Sequence, residues 1–501
     1  MWIKSYDKKS NEHQNMISLK SLFKSSMIYG IGSALVRIMT FTLVPLYTNA
    51  PSVNGEYGWY GHYLLIFPLI GILRALYSHG AGDSFLKVYS ERNDKKKIVS
   101  TYLIHIFIVT FLISGLLSIV YFLIPVQPIN SLLSIILDYY FVILIIVAFD
   151  TINYRIMDIL RIQNYPTYYI GVHLIGQLAT IIFAINYVTF EGLGLEGALR
   201  ALIFGGMISF VLFLPILIQN INFKLYSYEY VKQFMNLGLR FFPATVFFLI
   251  MMQLDRFLLH YLLPNAEPIV GAYGAAAKLA SIPMLLISAF NLGWQPFYLT
   301  NGKNSKIINK YEKIGTIFAI VTISLSWLVS IIMPIIAKIN IPKIGQVVNM
   351  QNYPMPDYII PIIVVSHIFY AFYIINMPSI YLCNKQNWSP IFRMFGAFIN
   401  LILNIILIPK LGMTGAAIAT SASYALMFVF LFYKNTKWMK IKLAWFDILV
   451  LSLFASISIW ALINNSYWQY LMILSTLFLM MYLLYKHGVK QLIIIFTSNA
   501  S

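Results

Sequence analysis

Basic side chains lie inside the apolar segments of this 501-residue chain, where a charged group is costly. Arg37 and Arg74 lie in the first two of these segments, and Arg256 and Lys278 lie in the seventh and eighth. A charge at the centre of a bilayer costs about 2.5–3.5 kcal/mol on insertion scales, so a retained charge predicts a partner or a watery cavity. Arginine donates paired hydrogen bonds to phosphate oxygens. These residues therefore predict a site for an anionic ligand.

Acidic side chains are scarcer in the same segments. Asp150 and Asp255 are the main central carboxylates besides Glu196. A carrier of organic cations should instead have more acidic than basic side chains inside its spans. A structural interpretation stays open, in which long basic side chains extend to the membrane surface and Asp255 pairs with Arg256.

Motifs of soluble enzymes are missing from the sequence. It contains no GxxxxGK[ST] loop for nucleotide phosphates, no HExxH motif, and one cysteine, Cys383. ATP hydrolysis in such a loop and the zinc chemistry of these motifs are therefore not predicted. The net charge of +18 suggests nucleic acid at first sight, but basic residues retained in cytoplasmic loops explain it better in a membrane protein.

Apolar segments of about 20 residues carry these side chains and repeat along nearly the whole chain. The sequence is 59% hydrophobic and 10% charged, whereas soluble domains carry about 25% charged residues. We predict an all-α polytopic membrane protein with about fourteen transmembrane helices. The predicted spans are Ser25–Thr48, Gly58–Gly80, Ile98–Ile124, Leu132–Met157, Tyr168–Thr189, Leu193–Ile218, Leu237–Leu263, Ile269–Leu299, Ile314–Ile339, Tyr358–Leu382, Ile391–Ile408, Gly415–Tyr433, Leu443–Ile463 and Trp468–Tyr485.

The loops between these spans differ sharply in charge. Alternate loops are rich in lysine and arginine, while the others hold only Lys338, Lys343 and Lys410. Because cytoplasmic loops retain basic residues, this asymmetry predicts that both termini are cytoplasmic. Residues 1–24 are then a cytoplasmic N-terminal segment.

An internal repeat organises the spans. The motif Leu193-Gly-Leu-Glu-Gly-Ala-Leu-Arg-Ala201 returns 218 residues later as Leu411-Gly-Met-Thr-Gly-Ala-Ala-Ile-Ala419, and Gly55-Glu-Tyr-Gly58 returns 216 residues later as Gly271-Ala-Tyr-Gly274. The repeat predicts two six-helix lobes, residues 25–220 and 236–433, and two additional helices at 443–485. Since six is an even number, both lobes run in the same direction through the membrane.

The repeat also aligns polar residues between the lobes. At the shift of 216 residues, Arg37 aligns with Gln253 and His62 aligns with Lys278. Polar residues at matching heights predict a shared aqueous cavity between the lobes.

Several short motifs resemble those of a known family. They are Pro45-Leu46-Tyr47 before Gly55-Glu-Tyr-Gly58, the basic loop at 90–97, Leu254-Asp-Arg-Phe257 leading to Val270-Gly-Ala-Tyr-Gly-Ala-Ala-Ala-Lys278, and the pair Gln163-Asn-Tyr-Pro166 and Gln386-Asn-Trp-Ser-Pro390. Over about Ser18 to Tyr433 the chain resembles the Wzx-type oligosaccharide-lipid flippases of the multidrug/oligosaccharidyl-lipid/polysaccharide (MOP) flippase superfamily.

The resemblance implies a function. Such a protein moves undecaprenyl-pyrophosphate-linked oligosaccharide, a unit of O-antigen, capsule or exopolysaccharide, from the inner to the outer leaflet of the bacterial cytoplasmic membrane by alternating access. It is not an enzyme, binds no cofactor, and is driven by a proton or sodium gradient. Its implied partners are the lipid-linked sugar, the bilayer and polysaccharide assembly proteins, and not nucleic acid.

The resemblance also implies roles for the charged residues. Cationic residues of the family's central cavity receive the pyrophosphate, a role that we carry first to Arg37 and Lys278 and then to Arg74 and Arg256. Asp255 and Asp150 are the candidates for ion coupling.

Three other functions stay open at this point. An ion-coupled multidrug or metabolite antiporter of the same superfamily is disfavoured by the cationic spans. A membrane glycosyltransferase or sugar-repeat polymerase usually has a large outer loop, which this sequence lacks. A sugar-phosphate carrier of the major facilitator type has a Gly-Asp-Arg signature after its second span, where this chain is rich in lysine.

Overall fold

Long helices make up nearly all of the described part of the computed structural model, which comprises residues 32, 35–51, 58–123, 131–302 and 305–488. Residues 35–41 are helical and precede the first helix with defined bounds. The helices are α1 Leu43–Asn49, α2 Trp59–Ser78, α3 Ala81–Glu91, α4 Lys95–Leu123, α5 Ser131–Asp138, α6 Tyr140–Ile162, α7 Pro166–Ala184, α8 Gly194–Asn220, α9 Tyr228–Leu262, α10 Ala266–Ala280, α11 Ile282–Asn301, α12 Ser305–Lys338, α13 Ile359–Asn376, α14 Pro378–Leu382, α15 Trp388–Leu411, α16 Met413–Trp438, α17 Trp445–Ile463 and α18 Gln469–Lys486. A π-helical segment, Ile185–Phe190, extends α7, and Phe223–Leu225 forms a 3-10 turn.

These helices have the lengths that a bilayer requires. Among the described residues, twelve candidate spans are long and apolar enough to cross a membrane, and the bent pair of α10 and α11 makes a thirteenth if it counts as one span. The predicted class, an all-α polytopic membrane protein, is confirmed. The first predicted span, Ser25–Thr48, and the segment 1–24 lie partly or wholly outside the described residues, so the count of fourteen stays a prediction.

Large apolar side chains cover the outside of the bundle. Phe111 on α4 is 80% exposed, and Phe446 on α17 is also 80% exposed. In water such a surface would aggregate, whereas hydrocarbon solvates it. The exposed rings therefore indicate faces that contact lipid.

The predicted first lobe includes α2, α4, α6, α7 and α8, and α6 packs against α2, α4 and α8. Glycines set its closest contact. Gly176 on α7 and Gly205 on α8 leave so little space that a β-carbon on Gly205 would lie 2.9 Å from the Gly176 carbonyl oxygen. Small residues let helix backbones approach closely in membranes. The backbones of the two helices consequently approach each other closely at this point.

In the predicted second lobe, α13 packs against α12 and α16, and α15 packs against α9 and α16. The two C-terminal helices, α17 and α18, pair with each other and rest against α12. There the indole nitrogen of Trp327 donates a 2.6 Å hydrogen bond to the Ser458 hydroxyl. These two helices thus lie on the outside of the second lobe.

The lobes meet through α2 and α3 of the first and α9 and α10 of the second. Gly61 on α2 lies directly against the backbone of Glu267 on α10, and Gly80, which has a φ of 77°, lies against the backbone of Gly238 on α9. Gly61 is near the predicted outer end of its span and Gly80 near the inner end. The lobes are therefore in backbone contact at both ends.

A short hairpin adds a third contact between the lobes. Its strands, β1 Asn340–Ile341 and β2 Gly345–Gln346, are antiparallel and lie in the loop between α12 and α13. The Asn49 amide at the end of α1 donates a 2.5 Å hydrogen bond to the Gln346 carbonyl. A loop of the second lobe thereby covers the predicted outer end of the first.

Candidate functional site

The larger of two neighbouring cavities has a volume of about 520 Å³ and is lined by both lobes. Arg37 and Arg74 line it from the first lobe, and Lys278 lines it from α10 of the second. Asp150 on α6 lines the same cavity. The structure thus brings three of the four predicted basic residues together at one cavity.

Arg74 is held by two groups of α6. Its Nη1 atom lies 3.4 Å from Oδ2 of Asp150, and its guanidinium carbon lies 4.2 Å from the ring centroid of Tyr154. A guanidinium over an aromatic face gains a cation–π interaction while its remaining N–H groups stay available for a ligand. The side chains of Arg74 and Asp150 are each about one third exposed, so this pair faces the cavity rather than a dry core.

Arg37 is differently placed. It is exposed, lies in the helical residues 35–41, and lines the cavity without an ion pair that the described part of the chain records. An exposed guanidinium in an apolar span needs water or an anion beside it. Its position is therefore suited to a ligand that enters the cavity.

Lys278 lies on the boundary between the two cavities. It is half-buried near the C-terminal end of α10, and it lines both spaces together with the rings of Tyr63 and Phe67. The C-terminus of a helix carries partial negative charge, which stabilises an ammonium group there.

The smaller cavity has a volume of about 240 Å³ and belongs mainly to the second lobe. Arg256 lines this cavity and not the larger one, and it donates a hydrogen bond to the Gln253 side chain on the same helix. Arg37 and Gln253, which the repeat aligns, thus line neighbouring cavities. The other aligned pair, His62 and Lys278, does not share a cavity. His62 lies 3.6 Å from Glu267 and lines neither cavity, whereas Lys278 lines both.

Asp255 is buried at the smaller cavity, with 4% of its surface exposed. Its carboxylate accepts a 2.5 Å hydrogen bond from the Tyr273 hydroxyl and a 2.9 Å bond from the Arg256 backbone N–H. Asp255 therefore contacts the main chain of Arg256. The alternative interpretation from the sequence was a pair between Asp255 and the Arg256 side chain. A buried carboxylate requires such donors to be tolerated.

Polar residues that the sequence did not single out also line the larger cavity. Asn153 lines it from α6, and Thr180 and Ser209 line it from α7 and α8. A weak sequence signal exists, since Asp150, Asn153 and Tyr154 have the i, i+3, i+4 spacing of one helix face.

Within the described residues, no group of three or more histidine, cysteine, aspartate or glutamate side chains could hold a metal ion.

Comparison with solved structures identifies the fold. Lipid II flippase MurJ in an inward closed conformation superposes with a TM-score of 0.66 at 17% identity, covering 91% of this chain and 97% of that chain. A multidrug resistance MATE family transporter of the MOP superfamily, in an inward-facing conformation, gives a TM-score of 0.58 at 13% identity and covers 85% and 96%. A Vibrio cholerae MATE transporter gives 0.56 at 13% identity and covers 83% and 96%.

Sequence comparison identifies the family. No curated protein sequence matches the chain. The model of the family described as polysaccharide biosynthesis protein matches residues 22–297, more than half of the chain, and the resemblance to MOP-superfamily flippases is thereby confirmed. With this match over more than half of its length, the chain belongs to the polysaccharide biosynthesis protein family of membrane flippases.

Proposed function

We propose that the protein translocates undecaprenyl-pyrophosphate-linked oligosaccharide, a unit of O-antigen, capsule or exopolysaccharide, from the inner to the outer leaflet of the bacterial cytoplasmic membrane. The observation that carries this proposal is the set of Arg37, Arg74 and Lys278 around one cavity of about 520 Å³ lined by both lobes. Ligand cavities of several hundred Å³ suit small molecules and head groups. Here the cavity holds the pyrophosphate end of such a head group.

The physical task is to carry a doubly charged head through about 30 Å of hydrocarbon. Basic side chains supply charge-assisted hydrogen bonds that replace water at the phosphate oxygens. Both termini are cytoplasmic in this proposal, the lobes open alternately to each side, and the polyprenyl tail stays in the bilayer. The protein acts as a transporter, with polysaccharide assembly proteins as partners and no enzymatic step.

Coupling to a proton or sodium gradient is assigned to the two central carboxylates. Asp150 lies beside Arg74 in the larger cavity, and Asp255 lies in the smaller one beside Arg256. A carboxylate next to a basic substrate-binding group can exchange its partner when an anion binds, and this exchange links ion binding to substrate binding. Arg256 completes the basic set from the second lobe.

The test is a flipping assay in vesicles with a pyrophosphate-linked polyprenyl sugar. We expect the parent to move the lipid and Arg37→Ala or Lys278→Ala to lower the rate at least tenfold, because each removes a charge-assisted contact. Arg200→Ala is the matched control, since Arg200 is exposed, pairs with Glu196 on its own helix and lines neither cavity.

Two outcomes would contradict the proposal. Equal rates in all four proteins would remove Arg37 and Lys278 from the phosphate site. If the parent moves no lipid-linked sugar but exports a soluble cation against a proton or sodium gradient, the antiporter replaces the flippase. The MATE-like fold makes that second assay necessary.

A further inference from the structure

A histidine lines the larger cavity together with the basic residues. His173 lies on α7, where Tyr169 and Gln177, four residues before and after it, line the same cavity from the same helix face. The His173 side chain is half-buried. Its ring nitrogens have no hydrogen-bond partner among the described residues and are not among the fully buried polar atoms there. The imidazole is therefore available to a ligand in the cavity.

The Tyr154 ring lies between His173 and Arg74. The ring centroids of His173 and Tyr154 are 6.5 Å apart, and the Arg74 guanidinium carbon lies 4.2 Å from the same Tyr154 centroid. Arg37 is close enough to His173 to act on it electrostatically. An anion that contacts Arg37 and Arg74 would thus lie in the part of the cavity that His173 lines.

The charge of the cavity decides whether this imidazole carries a proton. The other titratable side chains that line it within the described structure are three basic groups, one carboxylate and three phenols, namely Arg37, Arg74, Lys278, Asp150, Tyr63, Tyr154 and Tyr169. Phenols titrate near pH 10 and stay neutral at about pH 7. Because basic groups outnumber the carboxylate, a further positive charge on His173 is disfavoured when no anion is present.

A bound pyrophosphate would reverse this balance. An opposite charge nearby favours the charged form of a histidine, and an imidazole titrates near pH 6.5, so a modest change of surroundings alters its charge near neutral pH. Both nitrogens of an imidazolium are donors. The protonated ring could then donate a charge-assisted hydrogen bond to a phosphate oxygen, as the arginines do.

We infer that His173 is a further phosphate-contacting residue, which takes up a proton when the head group binds. This inference rests on the proposed function and links substrate binding to protons through a group other than Asp150 and Asp255. Because the protonated form binds the anion more tightly, affinity rises as the pH falls through the titration range of His173. The gain is lost as the pH rises above that range.

The experiment measures equilibrium binding to the purified full-length protein in nanodiscs from about pH 8 to about pH 6, where an imidazole titrates. The probe is polyprenyl pyrophosphate bearing one N-acetylglucosamine, because a terminal phosphate would itself titrate near pH 6. We expect the parent to bind about three- to tenfold more tightly at the lower pH, since one proton changes affinity by at most about tenfold per pH unit. The affinity of His173→Gln, which has no titrating group at this position, should vary less than about twofold over the same range.

Two further variants make the result specific. His487→Gln is the matched control, because His487 pairs with Asp447 just after α18 and lines neither of the two cavities. It should keep the pH dependence of the parent. His173→Arg carries its charge at every pH used, so at the higher pH it should bind the probe about as tightly as the parent does at the lower pH.

A measurement on the parent alone covers the case in which the His173 variants fail to fold. Adding the probe to the parent in weakly buffered solution should raise the pH, because up to about one proton is taken up for each head group bound. A pH-indicator dye records this change, and nanodiscs without protein give the baseline.

The possible results separate the two proposals. Probe binding that is independent of pH, absence of proton uptake, or an unchanged pH dependence in His173→Gln would overturn the role of His173 and leave the flippase standing. The last of these results would assign the proton to another group, such as Asp150. A parent that binds no probe at any pH would overturn the proposed function, and the role of His173 with it.

Discussion

The Arg74 guanidinium, which we propose binds phosphate, already has a carboxylate beside it. In the described structure the Asp150 carboxylate lies 3.4 Å from Arg74, on the helix that also carries Tyr154 and Asn153. Under the proposed function, an incoming pyrophosphate would compete with this carboxylate for the Nη1 N–H groups of Arg74. In that case Asp150 would weaken substrate binding and aid release on the far side of the membrane.

Asp150→Asn should consequently raise affinity and slow turnover. The pair is partly exposed, and such ion pairs contribute roughly 1 kcal/mol or less, so sugar-free polyprenyl pyrophosphate should bind about three- to fivefold more tightly. Equilibrium binding to nanodiscs measures the affinity, and the vesicle assay measures the flipping rate. Unchanged or weaker binding would show that Asp150 does not compete for Arg74.

Asp158→Asn is the control for this prediction. Asp158 is another intramembrane carboxylate of α6, lies 3.1 Å from Arg155, and lines neither cavity. Its substitution removes the same charge from the same helix without freeing a cavity arginine. Tighter binding in both variants would point to net charge instead of competition.

Helix α2 contacts the second lobe at a glycine, Gly61. A β-carbon at Gly61 would meet the backbone of Glu267, which cannot rotate away as a side chain can. At Gly71, ten residues further along α2, a β-carbon would meet no atom within 4 Å. The two glycines therefore offer one substitution at the interface and one beside open space.

We expect Gly61→Ala to destabilise the closed arrangement by about 1–3 kcal/mol, as overpacking does, and to lower the melting temperature in detergent. Gly71→Ala should raise stability by up to about 1 kcal/mol, because alanine is the better helix former. If Gly61→Ala melts at or above the temperature of Gly71→Ala, α2 and α10 are not packed at this point.

At the scale of the whole molecule, the lobes are joined at both ends of the cavities. Gly80 contacts Gly238 at one end, while Gly61 contacts Glu267 and Asn49 contacts Gln346 at the other. Alternating access requires these contacts to break in turn. At the outer contact, the hairpin between α12 and α13 can be crosslinked to α1, which would prevent the lobes from separating there.

Joining Asn49→Cys to Gln346→Cys with a short bis-thiol reagent should stop flipping, because the lobes could no longer part on that side. Cys383 is a free cysteine and must first be replaced by alanine. Vesicle flipping before and after crosslinking measures the effect, and cleavage of the reagent should restore it. Full activity with complete crosslinking would exclude separation of the lobes at the hairpin.

A crosslink inside one lobe is the matched control. The Ser100 hydroxyl accepts a 2.8 Å hydrogen bond from the Asn222 backbone N–H; Ser100 belongs to the first lobe, and Asn222 lies two residues after the last helix of that lobe. Ser100→Cys joined to Asn222→Cys should leave flipping unchanged, because rigid lobes move as units. Loss of activity here as well would indicate that crosslinking itself damages the protein.

The sequence by itself determined the class, the family and the set of basic residues within the spans. Hydropathy and charge are properties of short segments, and the penalty for a charge in hydrocarbon acts on each segment before any packing occurs. Arg37, Arg74 and Lys278 could therefore be selected without a structure. The internal repeat and the count of fourteen spans remain predictions.

Only the tertiary structure decided which polar groups share a cavity. Arg74 and Asp150 are 76 residues apart in sequence yet line one cavity, whereas Arg256, which was predicted to share the site with Arg74, lines only the smaller cavity. The spans are apolar around most of their circumference, so their sequence pattern does not fix how each helix is rotated. The rotation is set by close contacts such as Gly176 against Gly205, where the Thr180 and Ser209 hydroxyls also donate to main-chain carbonyls.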